Sequence, residues 1–458
     1  MLGIPTATLT PDGLEPSLPF TGISTDTRSL GPEPGTLFVA LEGERFDGHD
    51  YLAVARGRGA TGAVVKRGTA PVAGLRLLEV DSPLEALGAL AAHARRAIDG
   101  PVIAITGSNG KTSTKELVAA ALGTRYRTHA TTGNLNNLIG VPLTLLGAPA
   151  DTEALVVEAG ASVPGEIARY REIIQPTMTI ITNVGASHLE GFGSIDAVLG
   201  EKLELGRGVP LVVVGPEPED LAAGARRLAD RVVVAGLDGG DLRPDSLRFD
   251  PLAPGHAVLR LDNLSFTLPA PGRHMAANAM LAWAVVRELG LEPLGAAAAI
   301  EEATLPGGRG QLRSEAGLRI LDDCYNANPD SFRAAIATAG RLREGRETGG
   351  GSRLIWVVGT MRELGPASAA LHRAIARELI ATAPSLIAAT GEFVAPLRAL
   401  AGPDADDLLV TAPDVAGLGA ALAPRLEPGD LVVLKASRGV ALEGILPYLV
   451  PHDHSPDG

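Results

Sequence analysis

Residues 102–113 read Val-Ile-Ala-Ile-Thr-Gly-Ser-Asn-Gly-Lys-Thr-Ser, and the rest of the chain is organised around them. The apolar start predicts a buried strand, two glycines interrupt it, and an Ala- and Leu-rich run over 114–122 predicts a helix. In this arrangement the loop N–H groups and the helix N-terminus point at an anion. Lys111 would add a positive charge at terminal phosphates, and the Thr112 hydroxyl would lie on a magnesium ion.

The stretch departs from the full phosphate-loop pattern G-x-x-x-x-G-K-[ST] at one position. Ile105 stands five residues before Gly110, where the pattern has glycine. The alternative is an ordinary strand-to-helix turn in a Gly-rich chain. We favour the phosphate loop because the strand and the helix both fall where phosphate binding needs them.

The composition limits the class of protein. A chain of 458 residues with 45% apolar residues can form two to four domains, and only 3% of the residues are aromatic, so Ala, Val, Leu and Ile must build the cores. The net charge of −13 argues against charge-driven binding to nucleic acid or membranes. The single cysteine, the lack of a basic start and the lack of a long apolar run predict a cytoplasmic chain without membrane insertion. His452 and His454 near the end are expected to be solvated rather than metal-bound.

Strands and helices alternate along the chain, which predicts an α/β fold of three domains. We expect a small α/β domain at 1–99 and a central domain at 100–312, whose doubly wound, mostly parallel sheet carries the phosphate loop. A Rossmann-like α/β domain at 313–458 would follow. The Gly- and Pro-rich stretch 305–311 reads as a linker that would let the last domain close over the others.

Charged groups follow predicted strands of the central region, where open α/β sheets bind ligands. Glu158 ends one such strand and is placed to bind magnesium, with a surface glutamate as the alternative. His188 follows another strand. Alone it would more often be structural, but it shares the predicted rim with Lys111 and Glu158. Lys202 lies in a predicted helix and would ordinarily be a solvated charge.

Two polar regions have both a structural and a functional interpretation. The loops within 22–51 contain Asp26, Arg28, Arg45, Asp47 and His49, which are either solvated or form a ligand cradle with an anion-pairing arginine. The loop 131–142 has three asparagines that would bind a polar substrate or simply form a turn.

The second half of the chain adds further candidates. The helix after Gly272 is apolar on most faces, so Asn278 within it is buried and needs partners. The strand beginning at Leu318 ends in two aspartates that could coordinate a cation or bind ribose hydroxyls. Asp330 or Ser331 would equally well cap the following helix. The turn 435–439, between a strand and a helix, suits an anion.

Taken together, these motifs resemble the Mur ligase family, the ATP-dependent amide ligases of bacterial cell-wall precursor synthesis. The resemblance covers nearly the whole chain, and the family's phosphate loop is similarly shortened at its start. Within the family, several stretches look like the branch that joins D-alanyl-D-alanine to a UDP-N-acetylmuramoyl-tripeptide. They are GNLNNLIGVPLT at 133–144, YNANPDS at 325–331, GTMRELG at 359–365 and KASRG at 435–439.

The resemblance implies a role for each matching residue. ATP would be bound by Thr106, Gly107, Ser108, Asn109, Gly110, Lys111, Thr112, Ser113, Asn278, Arg309, Asp323 and Asn326. Two Mg²⁺ ions would be held by Thr112, Glu158, His188 and a carbamylated Lys202, and catalysis would depend on Lys111, Glu158, His188 and Lys202. The UDP-precursor would be bound by Ser24, Thr27, Arg28, Gly43, Asp47, His49, Asn134 and Asn137. The dipeptide would be bound by Asn328, Lys435, Ser437 and Arg438.

The resemblance also implies a mechanism in which the precursor's carboxylate takes the γ-phosphate of ATP and the dipeptide amine then displaces phosphate. No side-chain nucleophile is needed, so Cys324 is predicted not to be catalytic, and we expect a monomer. Met275 stands where relatives often have asparagine, which puts a nucleotide contact there in doubt. The rival functions are a sister ligase (tripeptide-forming or folylpolyglutamate-synthetase-like), a small-molecule kinase and a non-enzymatic, nucleotide-gated interaction protein.

Overall fold

The computed structural model describes residues 8–9, 20–31, 35–43, 46–250, 253, 255–344 and 352–450. Arg45, His452 and His454 therefore lie outside the described residues. No helix in the described part of the chain is both long and apolar enough to cross a membrane. The chain divides into two compact units. The first comprises Met1–Ile105, Tyr126–Ala161 and Gly165–Thr179, and the second comprises Thr106–Arg125, Ser162–Pro164 and Ile180–Gly458.

The strands are β1 (Thr8–Leu9), β2 (Gly22–Ser24), β3 (Thr36–Val39), β4 (Ala60–Lys66), β5 (Arg76–Val80), β6 (Val102–Thr106), β7 (Thr128–Ala130), β8 (Ala154–Glu158), β9 (Met178–Ile181), β10 (Leu211–Val214), β11 (Arg231–Val234), β12 (Ser246–Phe249), β13 (His256–Leu261), β14 (Leu264–Pro271), β15 (Gln311–Glu315), β16 (Leu318–Asp322), β17 (Leu354–Val358), β18 (Leu386–Ala389), β19 (Leu409–Thr411) and β20 (Leu431–Lys435). The α-helices are α1 (Leu52–Gly57), α2 (Pro83–Arg95), α3 (Lys111–Gly123), α4 (Gly140–Leu146), α5 (Glu166–Ile174), α6 (Leu189–Phe192), α7 (Ile195–Leu203), α8 (Glu219–Ala225), α9 (Arg273–Glu288), α10 (Pro293–Glu301), α11 (Pro329–Glu344), α12 (Ser368–Ala381), α13 (Val394–Ala401), α14 (Ala405–Leu408), α15 (Val415–Leu422) and α16 (Leu446–Leu449).

The first sheet of the first unit has the strand order β1-β5-β4-β3-β2 and is parallel except for β1. Successive residues of β3 point to opposite faces, so Phe38 packs in one core and Val39 in another. Helix α2 covers the second core. It begins as its sequence predicts, with Pro83 in the first turn and the Ser82 hydroxyl accepting a hydrogen bond from the Glu85 N–H at 3.2 Å.

The same unit holds the parallel neighbours β6, β8 and β7. Every residue of β6 and β8 is buried, which agrees with the continuous apolar runs expected of parallel strands. In the β6–β8 pair, Ile105 lies opposite Glu158, so the strand that leads into the phosphate loop and the strand that ends in this carboxylate finish at the same level.

The second unit contains the parallel pair β10–β11, a three-stranded antiparallel sheet β12-β13-β14, and a six-stranded sheet in the order β15-β16-β20-β17-β18-β19. In the last sheet only β15 runs antiparallel, and apolar clusters cover both faces. Strands β13 and β14 pair antiparallel, and Phe266 of β14 stacks on Trp283 of the buried helix α9 with ring centroids 5.4 Å apart. The predicted α/β class with mostly parallel sheets is confirmed, whereas the three domain boundaries stay a prediction.

Candidate functional site

The loop between β6 and α3 has the geometry of an anion-binding turn. Gly107 and Gly110 adopt positive φ angles of 141° and 79°, and a Cβ on Gly110 would collide with the amide oxygen of Asn278. Only glycine fits this position without strain. The Lys111 ammonium donates to the carbonyl oxygen of Gly107 at 2.8 Å, so the side chain folds back over the loop rather than pointing into solvent. Helix α3 starts at Lys111, three residues earlier than predicted, which puts Thr112 in its first turn.

Residues that follow β9 hold this loop in shape. The Asn109 N–H donates to Asn183 Oδ1 at 3.0 Å, and the Thr182 hydroxyl donates to the Asn109 carbonyl at 2.5 Å. Ser108 Oγ accepts from the Gly185 N–H at 3.0 Å and from the Ser187 hydroxyl at 2.8 Å. The side chain of Ser108 and the backbone of Asn109, both predicted to touch ATP, therefore also fix the loop.

Glu158 is a buried carboxylate, 2% exposed, at the end of β8. The surface alternative for this residue is therefore wrong. Asn136 Nδ2 donates to Glu158 Oε1 at 2.8 Å, a contact that no pattern in the sequence indicated. The neighbouring Asn137, predicted to bind substrate, accepts from the Ile139 and Gly140 N–H groups at the start of α4, and Asn134 is exposed. Three asparagines of one short loop look alike in sequence, and only the fold gives them different environments.

His188 and Lys202 occupy constrained positions in the second unit. His188 has a left-handed backbone with φ of 51°, and its ring Nδ1 hydrogen-bonds the carboxylate of Glu363. This bond holds the pKa of Glu363 below its ordinary value. Lys202 is 1% exposed, and its Nζ lies 5.8 Å from the ring centroid of Phe192. The solvated-charge alternative for Lys202 is therefore wrong.

A second polar group lies at the ends of β16 and β20. The Lys435 ammonium is 2% exposed and lies 2.7 Å from Asp323 Oδ2, and it donates to the Asn326 carbonyl at 2.9 Å. The guanidinium of Arg309 stacks on the Tyr325 ring at 3.9 Å, and Arg438 approaches the same ring at 5.6 Å. The structure thus brings together predicted nucleotide-binding and dipeptide-binding residues.

Asn328 is the helix cap that was predicted at Asp330 or Ser331, so that prediction was wrong. Helix α11 begins at Pro329, and Asn328 Oδ1 accepts from the Ser331 N–H at 2.9 Å. Proline at the first helical position and asparagine just before it are the preferred residues there. Asn328 Nδ2 also donates to Asn109 Oδ1 at 2.8 Å, which joins the YNANPDS stretch to the phosphate loop.

The helix after Gly272 was predicted correctly, including the burial of Asn278, which is 5% exposed. Met275 is fully buried in the same helix. His274, which the sequence did not single out, is half-buried, and burial lowers its pKa below the ordinary value. Two buried nitrogens, Nδ1 of His274 and Nε of Arg309, have no hydrogen-bond partner among the described residues.

The predicted precursor-binding loops of the first unit are ordered mainly by contacts among themselves. The guanidinium of Arg28 bonds the Asp26 carboxylate at 2.7 Å, and this bond lowers the pKa of Asp26 to about 2. His49 Nδ1 contacts Asp47 Oδ1 at 2.6 Å, and its Nε2 accepts from the Lys66 N–H at 3.0 Å. Ser24 hydrogen-bonds the backbone of Asp26, and the Thr27 carbonyl accepts from Arg58.

A cavity of about 270 Å³ opens beside these loops. Its lining combines charged and apolar groups and includes Leu41, Glu42, Lys66, Ser82, Pro83 and Ile139. Gly43 follows Glu42 of this lining in the chain. His49 hydrogen-bonds both Asp47 and the N–H of Lys66, another residue of the lining. A mixed lining of this kind suits a polar ligand with a ring or sugar part.

Comparison with known proteins gives a consistent result. Three family descriptions match the chain: "Mur ligase family, catalytic domain" at residues 19–95, "Mur ligase middle domain" at 105–286 and "Mur ligase, glutamate ligase domain" at 308–438. The chain is 34% identical to UDP-N-acetylmuramoyl-tripeptide–D-alanyl-D-alanine ligase of Bacillus subtilis over 94% of this chain and 93% of the relative.

Solved structures agree with the sequence comparison. The crystal structure of MurF from Acinetobacter baumannii matches with a TM-score of 0.80 and 31% identity over 94% of this chain and 93% of that one. MurF ligase from Thermotoga maritima in complex with ADP matches with a TM-score of 0.79 and 27% identity over 94% and 98% of the two chains.

Proposed function

The chain belongs to the Mur ligase family, and on this premise we propose that it joins D-alanyl-D-alanine to UDP-N-acetylmuramoyl-tripeptide at the expense of ATP. The products are ADP, phosphate and a peptidoglycan precursor. The observation that carries the proposal is the turn from Gly107 to Lys111, whose positive-φ glycines and helix N-terminus suit a polyphosphate. Work in the cytoplasm fits the single cysteine of the sequence.

In the proposed reaction, a carboxylate oxygen of the precursor attacks the γ-phosphorus, and the bond to the ADP oxygen breaks. The dipeptide amine then adds to the resulting acyl phosphate, loses a proton, and expels phosphate. Two anions must approach each other in the first step, so Lys111 lowers their repulsion. Because Asn183 and Thr182 fix the Asn109 backbone, the loop is preorganised for the phosphates.

The donor set fits magnesium. A hydroxyl at Thr112 and a buried carboxylate at Glu158 are oxygen donors of the kind that this cation prefers, and the family resemblance adds a ring nitrogen at His188. We propose that these residues hold two Mg²⁺ ions. When bound, the ions neutralise the charge of the phosphates during transfer. Nε of Arg309 and Nδ1 of His274, which have no hydrogen-bond partner in the part of the chain that the structure describes, likewise suit a polar ligand such as the nucleotide.

We further propose that Lys202 is carbamylated. Lys202 is 1% exposed, and its Nζ lies 5.8 Å from the Phe192 ring centroid, so the side chain is held in the fold rather than in solvent. Reaction of its neutral amine with CO₂ would yield a carbamate and a proton, and the family resemblance implies that this carbamate orients a metal. We expect Lys202→Ala to lose activity and to regain part of it with bicarbonate or a short carboxylate. Failure of all such rescue would contradict the carbamate.

The Lys111 substitution tests the proposal as a whole. Wild-type protein should release phosphate from ATP only when UDP-precursor and D-alanyl-D-alanine are both present, and Lys111→Ala should lower that rate by roughly a hundredfold or more. Arg333→Ala, which removes an exposed ion pair with Glu378, is the matched control. Phosphate release with glutamate, lysine or diaminopimelate instead of the dipeptide would indicate a sister ligase. A phosphorylated product would indicate a kinase, and binding without turnover an interaction protein.

A further inference from the structure

The loop 359–365, which follows β17, is a family-like stretch with no role in the reaction described above. Hydrogen bonds to residues of α12 and of the segment after β20 hold the loop in place. His372 Nε2 accepts from the Met361 N–H at 2.9 Å, and Ser437 Oγ accepts from the Arg362 N–H at 2.9 Å. Arg362 also donates to the Gly439 carbonyl at 3.0 Å. These contacts fix the backbone of the two residues that precede Glu363.

Glu363 makes two contacts with the turn that carries His188. Its carboxylate hydrogen-bonds His188 Nδ1, and its carbonyl oxygen accepts from the Glu190 N–H at 3.1 Å. Both Glu363 and His188 have left-handed backbones, with φ of 63° and 51°. Non-glycine residues adopt this conformation at a cost and keep it only where the surroundings hold them there. The two turns therefore hold each other in place.

The ring of His188 has one nitrogen engaged in this way. Since a carboxylate accepts hydrogen bonds, Nδ1 carries the hydrogen, and in the neutral ring the lone pair lies on Nε2. The hydroxyl of Ser162 also lies 3.4 Å from Nδ1. A carboxylate that binds one nitrogen of a metal-ligating histidine fixes the orientation of the ring and makes the other nitrogen a better ligand.

We propose that Glu363 is a positioning residue that aims Nε2 of His188 at a divalent cation. The inference rests on the proposed function of His188 as a metal ligand. It assigns the loop 359–365 a role in metal binding. If the cation instead took Nδ1, Glu363 would compete with it, and removal of Glu363 would tighten metal binding. The two arrangements therefore predict effects of opposite sign.

The test is Mn²⁺ binding to the full chain in the presence of ADP, followed by electron paramagnetic resonance. We expect His188→Ala to weaken one class of Mn²⁺ site, and Glu363→Ala to weaken the same class by about tenfold. Glu363→Gln keeps a hydrogen-bond acceptor without the charge and should fall between wild type and Glu363→Ala. Because the two residues act at one ion, Glu363→Ala should have no further effect in a His188→Ala background.

Glu378→Ala is the matched control, since it removes an exposed carboxylate that pairs with Arg333 and should leave Mn²⁺ affinity unchanged. Should Glu363→Ala fail to fold, the Gln variant carries the comparison. Unchanged or tighter Mn²⁺ binding in the Glu363 variants, or independent effects of the two substitutions, would overturn the inference. If His188→Ala itself left Mn²⁺ binding intact, the proposed metal role of His188 would fail, and the positioning role would fail with it.

Discussion

Burial is expected to make the thiol of Cys324 unreactive in the native protein. It is the only cysteine of the chain, it is 1% exposed, and its thiol donates to the Asp322 carboxylate at 3.0 Å. Burial raises the pKa of the thiol far above its ordinary value. Since the thiolate is the reactive form, we expect the native protein to react with a maleimide far more slowly than the urea-unfolded chain. Cys324→Ala should keep ligase activity, and a large loss of kcat would contradict a mechanism without a cysteine nucleophile.

His372 makes stability depend on pH. Burial lowers its pKa below 6.5, and its Nε2 must stay unprotonated to accept from the Met361 N–H. In acid the unfolded chain binds this proton and the folded chain does not, so stability is lost as the pH falls below about 6.5. We expect His372→Gln to be less stable than wild type at pH 8 but to lose less stability between pH 7 and pH 5. Tryptophan fluorescence in a urea titration measures this, and the exposed His93→Gln is the control. Parallel pH profiles of His372→Gln and wild type would contradict it.

At the scale of elements, periodic patterns predicted the scaffold well. The apolar runs at 102–105 and 155–157 became the buried strands β6 and β8, and the all-round apolar pattern after Gly272 became the buried helix α9. Helix starts were less predictable. The three-residue shift of α3 depends on Gly110 taking a left-handed angle, and the cap of α11 depends on which of several polar residues faces the first turn. Propensity ranks these residues alike, so tertiary contacts decide between them.

Arg95 joins two elements of the first unit, and its removal should loosen them. Its guanidinium, 9% exposed, donates to the carbonyl oxygens of Ile174 and Gln175 at the end of α5 and of Ile98 after α2, at 2.8–3.0 Å. Arg95→Met would leave three carbonyls with lost donors, at a cost of about 2 kcal/mol. We expect faster hydrogen exchange in peptides covering 166–175. Arg96→Met, at an exposed neighbouring position, should leave that exchange unchanged. Unchanged hydrogen exchange in Arg95→Met would show that the hydrogen bonds of Arg95 do not stabilise α5.

At the scale of the whole molecule, the roles given to the site residues stay predictions, and the structure adds contacts that the sequence did not reveal. The sequence singled out Lys111, Glu158 and His188 because each belongs to a motif or follows a strand, whereas Lys202 was singled out only through the family resemblance. It missed Asn136 and Glu363, because no local pattern reveals a partner that is distant in the chain. His188 and Glu363 are 175 positions apart, and only the fold brings them together. A contact between residues so far apart depends on the tertiary structure. The position of a residue at the end of a strand, in contrast, follows from the topology of α/β sheets.

The Asn109–Asn328 hydrogen bond, across 219 positions, should couple the binding of ATP to that of the dipeptide. Asn328→Ser retains a helix-capping side chain but loses the amide donor to Asn109, so it isolates this bond from the cap. We expect Asn328→Ser to raise the KM for ATP and the KM for D-alanyl-D-alanine together. In an Asn109→Ala background the same change should matter less, with a coupling of about 1 kcal/mol, or roughly fivefold. If the two substitutions had independent effects on both KM values, the Asn109–Asn328 hydrogen bond would not couple the two binding events. ATP binding at the phosphate loop would then not depend on the dipeptide through this contact.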